Sequence, residues 1–161
     1  SELRLVFDAT GFLHGDGLSP EKALSAVTPD HLAHAFAVNT IGPALLMKHF
    51  LPLLPRQGKS VFASLSAKVG SIGDNQLGGW YSYRASKAAA LNLGRNLSKD
   101  LAPLGLAVGI YHPGWVRTDM GGDGADISVD EAASGLIERF DALDTDSTGC
   151  FKTWDGRDHP F

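Results

Sequence analysis

An α/β fold, a parallel sheet with helices on its faces, is what this sequence predicts. Three observations carry that reading. Short apolar runs alternate four times with longer stretches of helical periodicity, the pattern of strands joined by helical crossovers. Two of the helical stretches open on residues suited to cap them. No internal repeat or interdomain linker interrupts the 161 residues, so residues 1–161 read as a single domain.

The first strand is Leu3 to Phe7, ended by Asp8-Ala9-Thr10-Gly11. A long connection over 12–27 follows, marked by Gly15, Gly17 and Pro20. Thr28-Pro29-Asp30 then opens a helix: Thr28 caps, Pro29 suits the first turn and Asp30 faces the positive helix end. The apolar spacing through Phe36, Leu45 and Phe50 carries this helix towards Leu54, with a bend near Asn39 because Pro43 has no N–H to return one turn. Ser60 to Leu65 is the second strand. A glycine-rich loop over 66–79 leads to a helix of about residues 80–101, rich in alanine. Leu106 to Tyr111 is the third strand, Ser128 caps a helix over 129–140, and Gly149 to Trp154 is the last strand.

Composition narrows the function. Hydrophobic residues at 43% and charged residues at 20% describe an ordinary globular domain. A net charge of −4 with no Lys/Arg block argues against nucleic acid or an anionic membrane as the main partner. The single Cys150 rules out an internal disulfide and fits a reducing compartment, the cytoplasm. No apolar run has the length of a membrane span. His31 and His34 share a helix face without a third ligand near in sequence, and Asp119, Asp123 and Asp126 lack calcium-loop spacing, so no metal site is expected.

Open parallel sheets bind ligands beyond the carboxyl ends of their strands. Three glycine-bearing segments fall there: 8–11, 66–71 and 113–118. Near the second lies the sharpest pair in the chain, Tyr83 and Lys87, four apart on one helix and therefore on one face. A fixed ammonium beside a phenol favours phenolate, so Tyr83 is expected to have a lowered pKa and to act as general acid or base at an alcohol oxygen.

The stretch Tyr81-Ser82-Tyr83-Arg84-Ala85-Ser86-Lys87 resembles the active-site helix of the short-chain dehydrogenase/reductase family. Asn39 in Val38-Asn39-Thr40 resembles that family's mid-helix asparagine, and Pro113-Gly114-Trp115-Val116-Arg117-Thr118 its turn beside the nicotinamide. Gly70-Ser71-Ile72-Gly73 and Gly78-Gly79-Trp80-Tyr81 look most like the C-factor and carbonyl-reductase-like branch. The resemblance implies a Rossmann-like sheet and hydride exchange between NAD or NADP and a small-molecule carbonyl or alcohol. It gives Tyr83 the proton transfer, Lys87 the ribose hydroxyls and the tuning of Tyr83, and Asn39 a water linking Lys87 to solvent. Gly11, Pro113, Gly114, Val116 and Thr118 would line the cofactor. It also implies a homodimer or homotetramer through the 80–101 and 29–54 helices.

Departures from the pattern matter as much. The family serine falls on Ala67, so Ser66 is taken as the catalytic serine holding the substrate carbonyl, with Ser71 or no serine as the alternatives. The usual Asn-Asn-Ala-Gly turn reads Asp8-Ala9-Thr10-Gly11. No G-x-x-x-G-x-G turn opens a helix, so the expectation is a C-terminal part of the fold, with roughly 70–90 residues of the cofactor half lying upstream at ~30 residues per βαβ unit. Leu3 to Phe7 would then be an uncovered sheet edge, and the residue choosing NAD over NADP would lie outside these residues. A catalytically impaired relative, acting as a nucleotide- or partner-binding or signalling protein, is the alternative that Ala67 and the missing turn support.

Overall fold

Leu5–Asp8 (β1), Val61–Leu65 (β2), Ala107–His112 (β3) and Cys150–Thr153 (β4) pair in parallel, in the order β1-β2-β3-β4. The computed structural model describes residues 2–161. Strand β1 begins two residues later than the apolar run, because Arg4 already turns its carbonyl to Val61 N–H and the paired register starts at Leu5 opposite Val61. Strands β2 and β3 are central and covered on both faces, which is why they read as nearly unbroken apolar runs.

Helices cover the sheet unequally. Val61, Ala63, Ala107 and Tyr111 point to one face and pack on Leu136, Phe140 and Leu143, from and just after Val129–Ala142 (α4). Phe62 and Val108 point to the other and meet Met47, Leu54, Leu101 and Leu106. Here lie Pro29–Phe36 (α1), Gly42–Phe50 (α2) and Tyr81–Leu101 (α3). The sheet advances in one direction while its last crossover passes over the opposite face, so that crossover has the opposite hand to the first two. Gly94 lets α3 sit directly on β3: a Cβ there would stand 2.6 Å from Ile110 Cδ1.

The caps follow expectation. Thr28 Oγ1 accepts from His31 N–H at 3.2 Å. Ser128 forms a reciprocal capping box with Glu131. The bent helix expected from residue 29 towards 54 is corrected in its detail: the irregularity near Asn39 is a π-helical turn over Ala37–Ile41, where Gly42 N–H reaches back five residues to Ala37 O. Pro43 removes the N–H that an α-helix would return to the Asn39 carbonyl, and the extra residue is absorbed as a π turn rather than a simple bend.

Candidate active site

The π turn aims two side chains at α3. Asn39 is fully buried; its Oδ1 accepts from Phe12 N–H at 2.7 Å, and its Nδ2 donates to Phe12 O at 2.8 Å and to Ser86 Oγ at 3.0 Å. Thr40 Oγ1 donates to the Ser86 carbonyl at 2.8 Å. Ser86 Oγ in turn donates to the Tyr83 carbonyl at 2.9 Å. One residue on stands Lys87, only 4% exposed, its Nζ 3.5 Å from Leu65 O at the end of β2 and 6.0 Å from the centre of the Tyr83 ring.

Gly11 completes this cluster. A Cβ there would lie 3.5 Å from Lys87 Nζ, 3.9 Å from Asn39 Oδ1 and 4.0 Å from Met120 Cε, so the loop backbone passes directly over the ammonium. Gly70 serves the other flank, where a Cβ would lie 2.9 Å from Lys87 Cβ. The 66–71 loop is also tied to β3: Ser66 N–H donates to Tyr111 O at 2.8 Å, and Lys68 N–H donates to His112 Nδ1 at 3.3 Å. Burial, with the charges of His159 and Lys68 alongside, pushes the His112 imidazole down to about 4 and keeps the ring neutral for that role.

Electrostatics here reverse one expectation. The Tyr83 phenol is pushed up to about 12 by burial, not lowered by Lys87. The same burial takes the Lys87 ammonium down to about 8, against the pull of the Asp8 carboxylate. Sequence spacing counts a neighbouring charge but not the water lost around it, and the loss is the larger effect. Asp8 is itself buried, accepting from Thr10 N–H at 3.0 Å and Thr10 Oγ1 at 2.7 Å.

The serine candidates lie apart from that chemistry. Ser66 is buried and turns its hydroxyl towards the Lys87 carbonyl at 3.4 Å, as the alternation of side chains along β2 dictates. Ser71 Oγ accepts from Asp74 N–H at 3.1 Å. Neither is presented as an open hydroxyl, and Ala67 between them is buried.

Beyond β3, Gly114 holds φ +90 with Ile127 and Trp154 packed where a side chain would project. The bridge to Ile127 is made through Trp115 O and Arg117 N–H, at 3.2 and 2.9 Å. In that pattern the N–H and C=O of Val116 face the opposite side. The Thr118 hydroxyl accepts from Gly121 N–H at 3.1 Å and reaches Val116 O at 3.4 Å, so its contacts are those of a turn cap. His14 Nε2 lies 3.4 Å from Met120 O, joining this loop to the one carrying Gly11.

Three loops at the carboxyl edge, a Tyr/Lys pair on α3 and an asparagine on a π turn thus converge. A family model described as enoyl-(acyl carrier protein) reductase matches residues 6–142. The chain belongs to the short-chain dehydrogenase/reductase family. Among members of this family, the 1-hydroxy-2-glutathionyl-2-methyl-3-butene dehydrogenase of Rhodococcus is 40% identical over 160 residues, 97% of this chain and 69% of its own. The C-signal protein of Myxococcus xanthus is 34% identical over 139 residues, 86% of this chain and 84% of its own. An NADPH-bound carbonyl reductase from chicken fatty liver superposes with a TM-score of 0.88 at 31% identity, over 100% of this chain and 67% of that one.

The family's phosphate turn has one possible match in the sequence, Gly11-Phe12-Leu13-His14-Gly15-Asp16-Gly17, whose spacing is G-x-x-x-G-x-G. The structure gives it another shape. Gly15 and Leu18 bond to each other through both backbone groups, at 3.1 and 2.8 Å, and the chain continues to a 3-10 turn at Leu24–Ala26 rather than into an α-helix. No helix N-terminus therefore faces a phosphate there.

Proposed function

We propose that this chain carries the catalytic and nicotinamide-facing part of an NAD(P)-dependent oxidoreductase that interconverts a small-molecule carbonyl and its alcohol. The observation that carries the reading is the closed chain of hydrogen bonds from Phe12 through Asn39 and Ser86 to Tyr83, with Lys87 beside it. Such a chain fixes the two functional groups without consuming either.

The residues fit the nicotinamide-ribose end of the cofactor. Lys87 Nζ lies beneath the bare backbone of Gly11, and the Val116 backbone faces away from Ile127. They do not fit the phosphate end, because the single matching glycine spacing folds as a closed turn. When bound, the cofactor supplies or accepts the hydride. Tyr83, kept protonated by burial, gives its phenolic proton to the oxygen of the carbonyl being reduced. Lys87 carries positive charge below about pH 8 and stabilises the phenolate left behind. The Asn39 side chain is spent on Phe12 and Ser86, so the water expected there belongs to its main-chain carbonyl, to which Pro43 returns no N–H.

Ala67 at the serine position supports a second reading, a relative that binds nucleotide or a partner without turnover. The two separate on one assay of the full-length protein, since the described residues alone lack a phosphate site: NADPH oxidation with a panel of aldehydes and ketones, alongside nucleotide binding by fluorescence. Carbonyl-dependent oxidation that rises in Ala67→Ser supports the enzyme. Nucleotide binding with no oxidation in either protein overturns it for the second reading.

A further inference from the structure

Helix α3 delivers both Tyr83 and Lys87, yet its own start is poorly equipped. Trp80 occupies the N-cap position, offers no side-chain acceptor, and sits in the left-handed region at φ 50, ψ 43. No acidic residue stands in the first turn. The missing cap comes from 61 residues away. Glu21, 2% exposed, lies in the long connection after β1, and its two carboxylate oxygens each accept from Ser82 N–H at 3.3 Å. Oε1 also accepts from the Ser82 hydroxyl. The Glu21 carbonyl accepts from Trp80 N–H at 2.6 Å, holding the strained residue in place. His31 Nδ1 of α1 lies 3.3 Å from Oε1, so the same carboxylate anchors a second helix.

We propose that Glu21 is a positioning residue for Tyr83: its carboxylate caps the first turn of α3 and fixes the helix end from which the phenol projects. A carboxylate at this end is favoured twice, by the orphan N–H groups and by the helix dipole. Burial alone would raise the Glu21 carboxyl, but the hydrogen bonds from Ser82 and the facing His31 hold it below the usual range, so it is ionised at neutral pH. Ser82 and Tyr83 are adjacent, so freedom at the Ser82 amide becomes freedom of the ring. The inference rests on Tyr83 being the proton donor, but its test does not require turnover.

The test is NMR of the full chain with 13C at the tyrosine Cζ, the Tyr83 signal assigned with Tyr83→Phe, together with amide exchange at Ser82. In Glu21→Ala, Ser82 exchanges at least tenfold faster and the Tyr83 signal moves, while that of Tyr111, buried on the far side of the sheet, stays in place. Glu21→Gln keeps an acceptor and recovers most of both readouts. Should Glu21→Ala fail to fold, Ser82→Ala carries the test, moving Tyr83 in the same direction. Wild-type exchange and an unmoved Tyr83 signal in whichever of Glu21→Ala and Ser82→Ala folds overturn the proposal. So does a change that reaches Tyr111 equally, or no recovery in Glu21→Gln. Loss of carbonyl reduction with these readouts intact would count against the oxidoreductase reading and leave this one standing.

Discussion

Lys87 is held against its own solvation, and that has a measurable cost. Its folded pKa of about 8 lies below the ordinary 10.5. Between those values the unfolded chain binds a proton that the folded chain does not, so stability rises as pH climbs through that window. Tyr83 acts in the other direction only above pH 10, where the unfolded phenol ionises first. The urea midpoint of the wild type should therefore rise relative to Lys87→Met between pH 7.5 and 9.5; a constant difference would contradict the burial argument. Asp8 opposes the shift, so Asp8→Asn should lower the Lys87 pKa further, read from its 15Nζ titration. The Tyr83–Lys87 pair was legible from i,i+4 spacing. Glu21 was not: a lone glutamate in a glycine- and proline-marked connection carries no local signal, and only tertiary folding brings it to Ser82.

At the scale of elements, the π turn is the device that joins α1–α2 to α3. Pro43 announced an irregularity near Asn39, but sequence could not distinguish a kink from an inserted residue, because that depends on which carbonyl Gly42 reaches. Asn39→Ala would strand Phe12 N–H and C=O and remove the donor to Ser86 Oγ, whose own bond to the Tyr83 carbonyl survives. It should destabilise the chain by about 3 kcal/mol in urea unfolding, from the usual cost of buried unpaired polar groups. A loss under about 0.5 kcal/mol, the size of a surface change, would mean that the clamp does little. Gly70→Ala forces a Cβ against the backbone of Lys87 and should perturb the Lys87 titration along with stability. The parallel sheet with helices on its faces was legible because alternation and apolar runs report burial directly. The opposite hand of the last crossover was not, since nothing in α4 or β4 states which face the helix takes.

Over the whole molecule, the β1 edge is open among the described residues. Leu3, Leu5 and Phe7 are 38%, 41% and 40% exposed, and the end of the π turn, α2 and the turn after it expose Ile41, Leu45, Phe50 and Leu53 as well. An unpaired parallel edge with an apolar face is a surface for further pairing. Residues 1–161 should self-associate as concentration rises, and Leu5→Lys should shift light scattering towards monomer; equal masses for both would place the association elsewhere. No described helix is long and apolar enough to cross a membrane, and no described group of three or more His, Cys, Asp or Glu is placed to hold a metal. On the proposed reading the proton transfer falls to Tyr83, whose ring α3 holds with Lys87 Nζ 6.0 Å from its centre. The most direct measurement is carbonyl-dependent NADPH oxidation by Tyr83→Phe beside the wild type, both in the full-length protein, with nucleotide affinity measured in parallel. The account predicts turnover reduced at least a thousandfold, about 4 kcal/mol of barrier, with affinity within a few-fold of wild type. Turnover within tenfold of wild type would contradict it.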